Sequence, residues 1–310
     1  MKPLRIATRG SALALWQANH LREALDTTCA TASEIVVVKT TGDRLASAPL
    51  EQIGLKGLFT KELEDALIDG RADLAVHSMK DVPTELSAAC RISTVFRRED
   101  PRDALVSRDG QSLSALPPGA RVGTGSLRRS AQLLAVRPDL AMAEIRGNVD
   151  TRLRKLDSGG YDAIVLAKAG LDRLGLSARI TEILPPEVVL SAVAQGALGV
   201  EFLAAREDEF RWLDRLVDSE TKRAVAAERA VLAELQGGCR LPLGAWARFE
   251  KDEMLLDACV LSADGSESIR RSRSGECASA RDAEKLGKSV AGELGEAGAD
   301  RLLRLAGRVA

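Results

Sequence analysis

Three kinds of residue in this chain could do chemistry: a cysteine on a turn, an aspartate leaving a buried strand, and arginines that recur where strands end. The cysteine is Cys239 in Leu235-Gln236-Gly237-Gly238-Cys239-Arg240-Leu241-Pro242. Paired glycines stop a helix and accept positive φ, and Pro242 keeps the helix from resuming. The thiol is therefore presented on a turn, although the octapeptide alone reads more simply as a helix stop with an incidental cysteine. Asp81 follows the apolar run Ala72–Ser78 and stands beside Lys80. It is either a turn residue before Pro83 or a group that exchanges a proton or balances a cationic intermediate. The arginines are Arg9 after the first strand, Arg128 and Arg129 after Gly123-Thr124-Gly125-Ser126-Leu127, Arg146 before Gly147-Asn148, then Arg152 and Arg173. The Gly-Thr-Gly-Ser segment opens a helix, so its N–H groups and hydroxyls are available to an anion. Arginine adds bidentate pairing with carboxylate or phosphate. A single arginine of this kind is ordinarily a solvated surface group. Five or six at equivalent topological positions predict an anion-binding cleft between the first two domains.

Composition removes several alternatives. The net charge of −1 gives no basic field for nucleic acid or membrane, and 3% aromatic residues do not build a base-stacking surface. No P-loop or dinucleotide fingerprint is present, so neither ATP nor NAD is indicated. The five cysteines are scattered without a C-x-x-C pair, which fits a reducing compartment and opposes a disulfide framework or a zinc site. His20 and His77 are the two histidines, and each reads as structural; neither a Ser-His-Asp triad nor a histidine metal site is supported. Proton transfer therefore falls to a carboxylate. With no transmembrane run and a strand already at Leu4–Thr8, the expectation is a cytoplasmic protein without a signal peptide. No long apolar stripe is left over for a partner chain, so a monomer is expected.

Positioning these residues requires an α/β scaffold. Strands are predicted at Leu4–Thr8, 34–40 and 72–78, with helices Ala12–Leu25 (capped by Ser11) and 58–68 between them. Met79–Pro83 is expected as a loop, and 42–57 as a mobile loop. After the charged turn 97–103 a second series follows: strands at 104–107, 120–123, 142–145 and 161–167, with helices from about Leu127, at 151–156 and at 171–174. Alternation of this kind implies parallel sheets with functional groups at the strands' C-terminal ends. Residues 188–200 read as a return crossing, 219–235 as a long helix, and 243–274 as three antiparallel strands followed by helices 280–294 and 299–305. The expected domains are 1–97 with 198–217, then 98–197, then a small α+β domain with an antiparallel sheet at 218–310 that carries Cys239.

Several motifs, in one order, resemble the porphobilinogen deaminase (hydroxymethylbilane synthase) family of tetrapyrrole biosynthesis. They are His77-Ser78-Met79-Lys80-Asp81-Val82-Pro83, Gly123-Thr124-Gly125-Ser126-Leu127-Arg128-Arg129, Arg146-Gly147-Asn148 and Gly237-Gly238-Cys239. Supporting pieces are Ala7-Thr8-Arg9-Gly10-Ser11-Ala12-Leu13-Ala14, Lys56-Gly57-Leu58-Phe59 and Arg98-Glu99-Asp100-Pro101-Arg102-Asp103. The resemblance covers nearly the whole chain and is weakest in its last seventy or so residues.

That resemblance implies two periplasmic-binding-protein-like α/β lobes plus the small C-terminal domain. It implies a dipyrromethane cofactor on Cys239 through a thioether, made from the enzyme's own substrate. Four porphobilinogens add in sequence with loss of ammonia, and hydrolysis releases the linear tetrapyrrole. Ser78, Lys80, Thr124, Ser126, Arg128, Arg129, Arg146 and Gly147 are implied for the cofactor. Arg9, Ser11, Phe59, Arg146, Arg152, Arg173 and Gln195 are implied for the substrate, and Asp81 for catalysis. The chemistry is coherent, because every pyrrole carries acetate and propionate, and a charge-assisted bond to carboxylate contributes roughly 1.5–3 kcal/mol. Loss of ammonia leaves an electrophilic azafulvene, for which Asp81 serves as acid to the amine and as counter-charge to pyrrole N–H groups. Three positions depart from the family pattern: Gly125 where serine is common, and Ser191 and Ala194 where proline and glycine are common. The alternative from another class is a two-lobed anion-binding protein without catalysis, which the Gly-Gly-Cys loop and the missing export signal oppose.

Overall fold

The computed structural model describes residues 2–40, 60–235 and 241–306. The chain divides into two compact units, Met1–Arg98 with Ala197–Thr221, and Glu99–Gly196 with Lys222–Ala310. In the first, β1 (Leu4–Thr8), β2 (Ser33–Val37), β3 (Leu74–Ser78), β4 (Cys90–Val95) and β10 (Leu198–Leu203) form one sheet in the order β2-β1-β3-β10-β4. Side chains alternate across its pleat. Ile6, Leu74 and Val76 join α1 (Ala12–Cys29) in one core, and Ala7 and Ala75 join α2 (Lys61–Ile68) in another. Both faces are covered, which is why these strands read as apolar runs. Helix α1 extends four residues past the predicted end, because nothing breaks it before Ala30, whose φ of 48° closes it with an N–H to Leu25 O.

The second unit repeats the plan with β5 (Asp103–Ser107), β6 (Arg121–Gly123), β7 (Ala141–Ala143), β8 (Ala163–Ala167) and β9 (Glu182–Ile183), ordered β7-β6-β8-β5-β9. Helices α3 (Leu127–Val136), α4 (Val149–Asp157) and α5 (Lys168–Arg173) follow β6, β7 and β8. Neither sheet is all-parallel as predicted: β10 is antiparallel to β3 and β4, and β5 to β8 and β9. Both are the first strand after the chain passes from one unit to the other, so no βαβ crossover constrains their direction.

Helix α6 (Ser219–Glu234) leads to the antiparallel strands β11 (Leu243–Glu250), β12 (Glu253–Leu261) and β13 (Ser268–Glu276), then α7 (Ala280–Glu296) and α8 (Ala299–Ala306). This small sheet joins α3 through Ala131, Leu190, Cys259 and Leu261. The sequence pattern missed the 3-10 segment Ala204–Leu216, which places Phe210, Leu213 and Leu216 in the first core. Its three-residue period lacks the signature of an α-helix. Among the described residues no helix is long and apolar enough to cross a membrane.

Candidate active site

In the first unit the site is built at the end of β3. The expected loop after Ser78 is a 3-10 turn, Met79–Asp81. Met79 is buried and its N–H donates to Ala197 O at 3.0 Å, so the turn is anchored while Asp81 stays exposed and Lys80 half-buried. Arg9, Ser11, Ser78, His77 and Asp81 line one pocket. Ser11 accepts the Ala14 N–H to cap α1, and Gln17 Nε2 donates to Ser78 Oγ at 2.7 Å. Four predicted site residues, Arg9, Ser11, Ser78 and Asp81, are thus brought together. Behind them His77 Nε2 lies 2.7 Å from Glu201 Oε2, both buried, which is the structural role expected of this histidine.

In the second unit the site is built at the end of β6. Thr124 Oγ1 accepts the Ser126 N–H at 3.1 Å, and Ser126 is the N-cap of α3 without a side-chain cap bond. Arg128 and Arg129 are buried rather than solvated. Arg129 Nε and Nη2 donate to Asp103 Oδ1 at 3.1 and 2.6 Å, and Nη1 donates to Val165 O at 3.1 Å. Arg128 Nη1 donates to Leu190 O at 2.5 Å, and its Nη2 lies 2.8 Å from Asp103 Oδ2. Burial alone would raise the Asp103 carboxyl, yet the two guanidiniums and Gln195 hold it well below the usual range. Burial pulls Arg128 down, and Asp103 opposes that shift.

The remaining predicted residues of this unit divide similarly. Arg173 is buried, its Nε 3.0 Å from Glu99 Oε2 and its Nη2 donating to Gly196 O at 2.8 Å. Gln195 is 1% exposed and donates to Pro101 O and Asp103 Oδ1 at 2.6 and 2.8 Å. Arg146 and Arg152 are half-buried, donating from Nε to Glu144 Oε1 at 2.6 Å and to Gly147 O at 2.8 Å. Gly147 has φ +113°, and a Cβ there would sit 2.6 Å from the Thr151 methyl, so only glycine makes this turn. The six arginines are therefore not equivalent, as their spacing implied. Cys239 and Phe59 lie outside the described residues.

Two buried functional groups carried weaker signals. Asp103 is a charge at the head of an apolar strand, Asp-Ala-Leu-Val-Ser, which signals a buried partner. Glu228 on α6 is fully buried and accepts the N–H groups of Ala194 at 2.5 Å and Ala247 at 2.8 Å; nothing in the helical pattern distinguished it. Two guanidiniums against one carboxylate leave the buried α3 cluster with a surplus positive charge. With the Ser126 side chain not capping α3 and the Thr124 and Ser126 hydroxyls beside it, this donor set fits a ligand bearing carboxylates, as a dipyrromethane does.

Residues 4–210 match the family model described as porphobilinogen deaminase, dipyromethane cofactor binding domain, and residues 222–296 match the porphobilinogen deaminase C-terminal domain. The chain belongs to the porphobilinogen deaminase family. Relatives named porphobilinogen deaminase include one from Bordetella parapertussis, 52% identical over 97% of this chain and 95% of its own. Another, from Nitratidesulfovibrio vulgaris, is 49% identical over 98% of this chain and 96% of its own. A periplasmic substrate-binding protein of an ABC transporter from Coxiella burnetii superposes with a TM-score of 0.42 at 13% identity, over 69% of this chain and 89% of that one.

The three departures from the porphobilinogen deaminase pattern have structural consequences. A Cβ on Gly125 would lie 3.1 Å from Ile145 O, so a serine there requires that strand exit to shift slightly. Ser191 exchanges backbone and side-chain bonds with Ala245, Ala245 N–H to Ser191 O at 3.0 Å and Ser191 Oγ to Ala245 O at 3.3 Å. Ala194 adopts φ 58°, a conformation glycine takes without cost, and its N–H is held by Glu228.

Proposed function

We propose a division of labour among the residues of this chain for the reaction of its family. The enzyme is a transferase that condenses four porphobilinogens head-to-tail, with loss of ammonia, onto a dipyrromethane and releases hydroxymethylbilane by hydrolysis. The dipyrromethane supplies the nucleophilic carbon at the free end of its outer ring. Cys239 is the thiol that holds it. Supporting this choice, burial pushes the Cys90 and Cys259 thiols up to about 12 and about 11 and raises that of Cys277, which makes them poor nucleophiles. Cys29 is half-buried at the end of α1.

Asp81 protonates the departing amine and then faces the pyrrole N–H groups as counter-charge. The observation that carries this role is the pocket at the end of β3, where an exposed carboxylate shares its walls with Arg9, Ser11 and Ser78. Arg9 and Ser11, with Lys80 beside Asp81, take carboxylates of the substrate and the growing chain. In the second unit Thr124, Ser126 and the helix N–H groups take them, with Arg128 and Arg129 supplying charge from below. Arg146 and Arg152, carried by the Gly147 turn, extend the reach, and Arg173 and Gln195 hold the frame beneath. The three-domain division at 97/98, 197/198 and 217/218 belongs to the same proposal, as does action as a cytoplasmic monomer. The unpaired thiols among the described residues support the reducing location.

Intact mass spectrometry tests the attachment. The parent protein is expected to exceed its sequence mass by a covalent adduct, and Cys239→Ser to run at sequence mass. An adduct that survives the substitution would remove Cys239 from the role.

A further inference from the structure

The cluster beneath the α3 anion site has one member to which the proposed mechanism gives no role. Asp103 is 0% exposed, opens β5, and is the only carboxylate among the described residues paired with Arg128 or Arg129. Its two oxygens divide the guanidiniums: Oδ1 takes Arg129 twice and Oδ2 faces Arg128. Gln195 Nε2 braces Oδ1 at 2.8 Å, and the carbonyls of Leu190 and Val165 fix the far sides of the two guanidiniums. Each arginine is therefore clamped from two directions, with Asp103 common to both. An isolated buried guanidinium pair repels itself and would turn outward to water. One shared carboxylate removes most of that repulsion and still leaves a positive charge over.

We propose that Asp103 is the positioning residue of this anion site, holding Arg128 and Arg129 in the pose that receives a ligand carboxylate while leaving their combined charge unbalanced until the ligand arrives. The proposal rests on the assignment of ligand carboxylates to the α3 site. Asp103 does not touch the ligand; it acts through the two guanidiniums. Two consequences separate this from a merely structural ion pair. Removing the Asp103 charge makes the folded protein depend more on its ligand, because two uncompensated cations rather than one await it. Keeping the charge but displacing it by one methylene preserves stability and still disturbs the pose.

The experiment uses the full chain produced without porphobilinogen and then loaded by adding it, with the adduct followed by intact mass and stability by thermal unfolding. For Asp103→Asn the expected gain in Tm on loading is about twice that of the parent. For Asp103→Glu the unloaded Tm is expected to stay near the parent's while loading slows by about tenfold to a hundredfold, the usual consequence of an ångström-scale misplacement. A gain for Asp103→Asn no larger than the parent's overturns the proposal. If that variant does not fold, loading of Asp103→Glu at the parental rate overturns it. Arg129→Gln is the separate control: if it loads at the parental rate, the carboxylate assignment itself fails, whatever Asp103 does.

Discussion

Corresponding places in the two sheets carry opposite arrangements of charge. Arg9 follows β1 and Arg128 and Arg129 follow β6, the strands that hold the same position in sheets of the same order. At the first, Ser11 spends its hydroxyl capping α1 and the arginine is half-buried at a pocket wall. At the second, the Ser126 side chain makes no cap bond and both arginines are buried over a carboxylate. The strands beside them, β3 and β8, contrast likewise. Asp81 follows β3 and is exposed, whereas β8 is followed by Lys168, paired with Asp172 at 2.5 Å, and Arg173, paired with Glu99. One fold plan has thus been used twice, once with an exposed acid after β3 and once with buried, paired cations after β6. A group that transfers protons needs access, while a group that supplies charge gains strength from a drier, preorganised setting.

Breaking the exposed side should have the largest effect on chemistry and the smallest on stability. Asp81→Ala is expected to lower turnover by about 10²–10⁴-fold while leaving the thermal midpoint near the parent's, measured by porphobilinogen consumption and by circular dichroism. Near-normal turnover would place the acid elsewhere.

Breaking the buried side should cost stability as well as loading. Arg129→Gln removes two charge-assisted bonds to Asp103 and is expected to destabilise the unloaded protein by about 2–3 kcal/mol in urea denaturation. Arg146→Gln, whose side chain is half-buried beside an exposed Glu144, should stay within about 0.5 kcal/mol. Equal losses from the two substitutions would erase the distinction between buried and half-buried cations.

A further small effect concerns the turn before the chain leaves the second unit. Ala194 sits at φ 58°, and Ala194→Gly removes a strain of roughly 1–2 kcal/mol while adding freedom to the unfolded chain. The net expectation is a stability gain below about 1 kcal/mol, read as a small rise in midpoint. A loss would mean that Glu228 already accommodates the alanine without strain.

Much of the scaffold was legible in the sequence because its signals are local. β3 reads as a strand since Leu74 and Val76 face one core and Ala75 another, and both are apolar. The starts of α1 and α3 are announced by Ser11 and by Gly-Thr-Gly-Ser, and the hairpin at 262–267 by Asp264-Gly265. The direction of β5 and β10 was not legible, because it depends on where the chain passes between units and not on any residue in the strands. The 3-10 segment 204–216 was missed for want of a 3.6-residue period.

The site divides along the same line. Residue types and motif order by themselves determined the family, the polyanionic ligand class, and the candidacy of Asp81 and Cys239, because those follow from which side chains exist and how they are spaced. Only the tertiary structure decided which arginines are buried and what holds them. Asp103 lies 26 residues from Arg129, and Gln195 lies 92 from Asp103. Burial and ion pairing arise from contacts between such distant segments, so no local pattern could distinguish Arg129 clamped on a carboxylate from Arg146 near the surface.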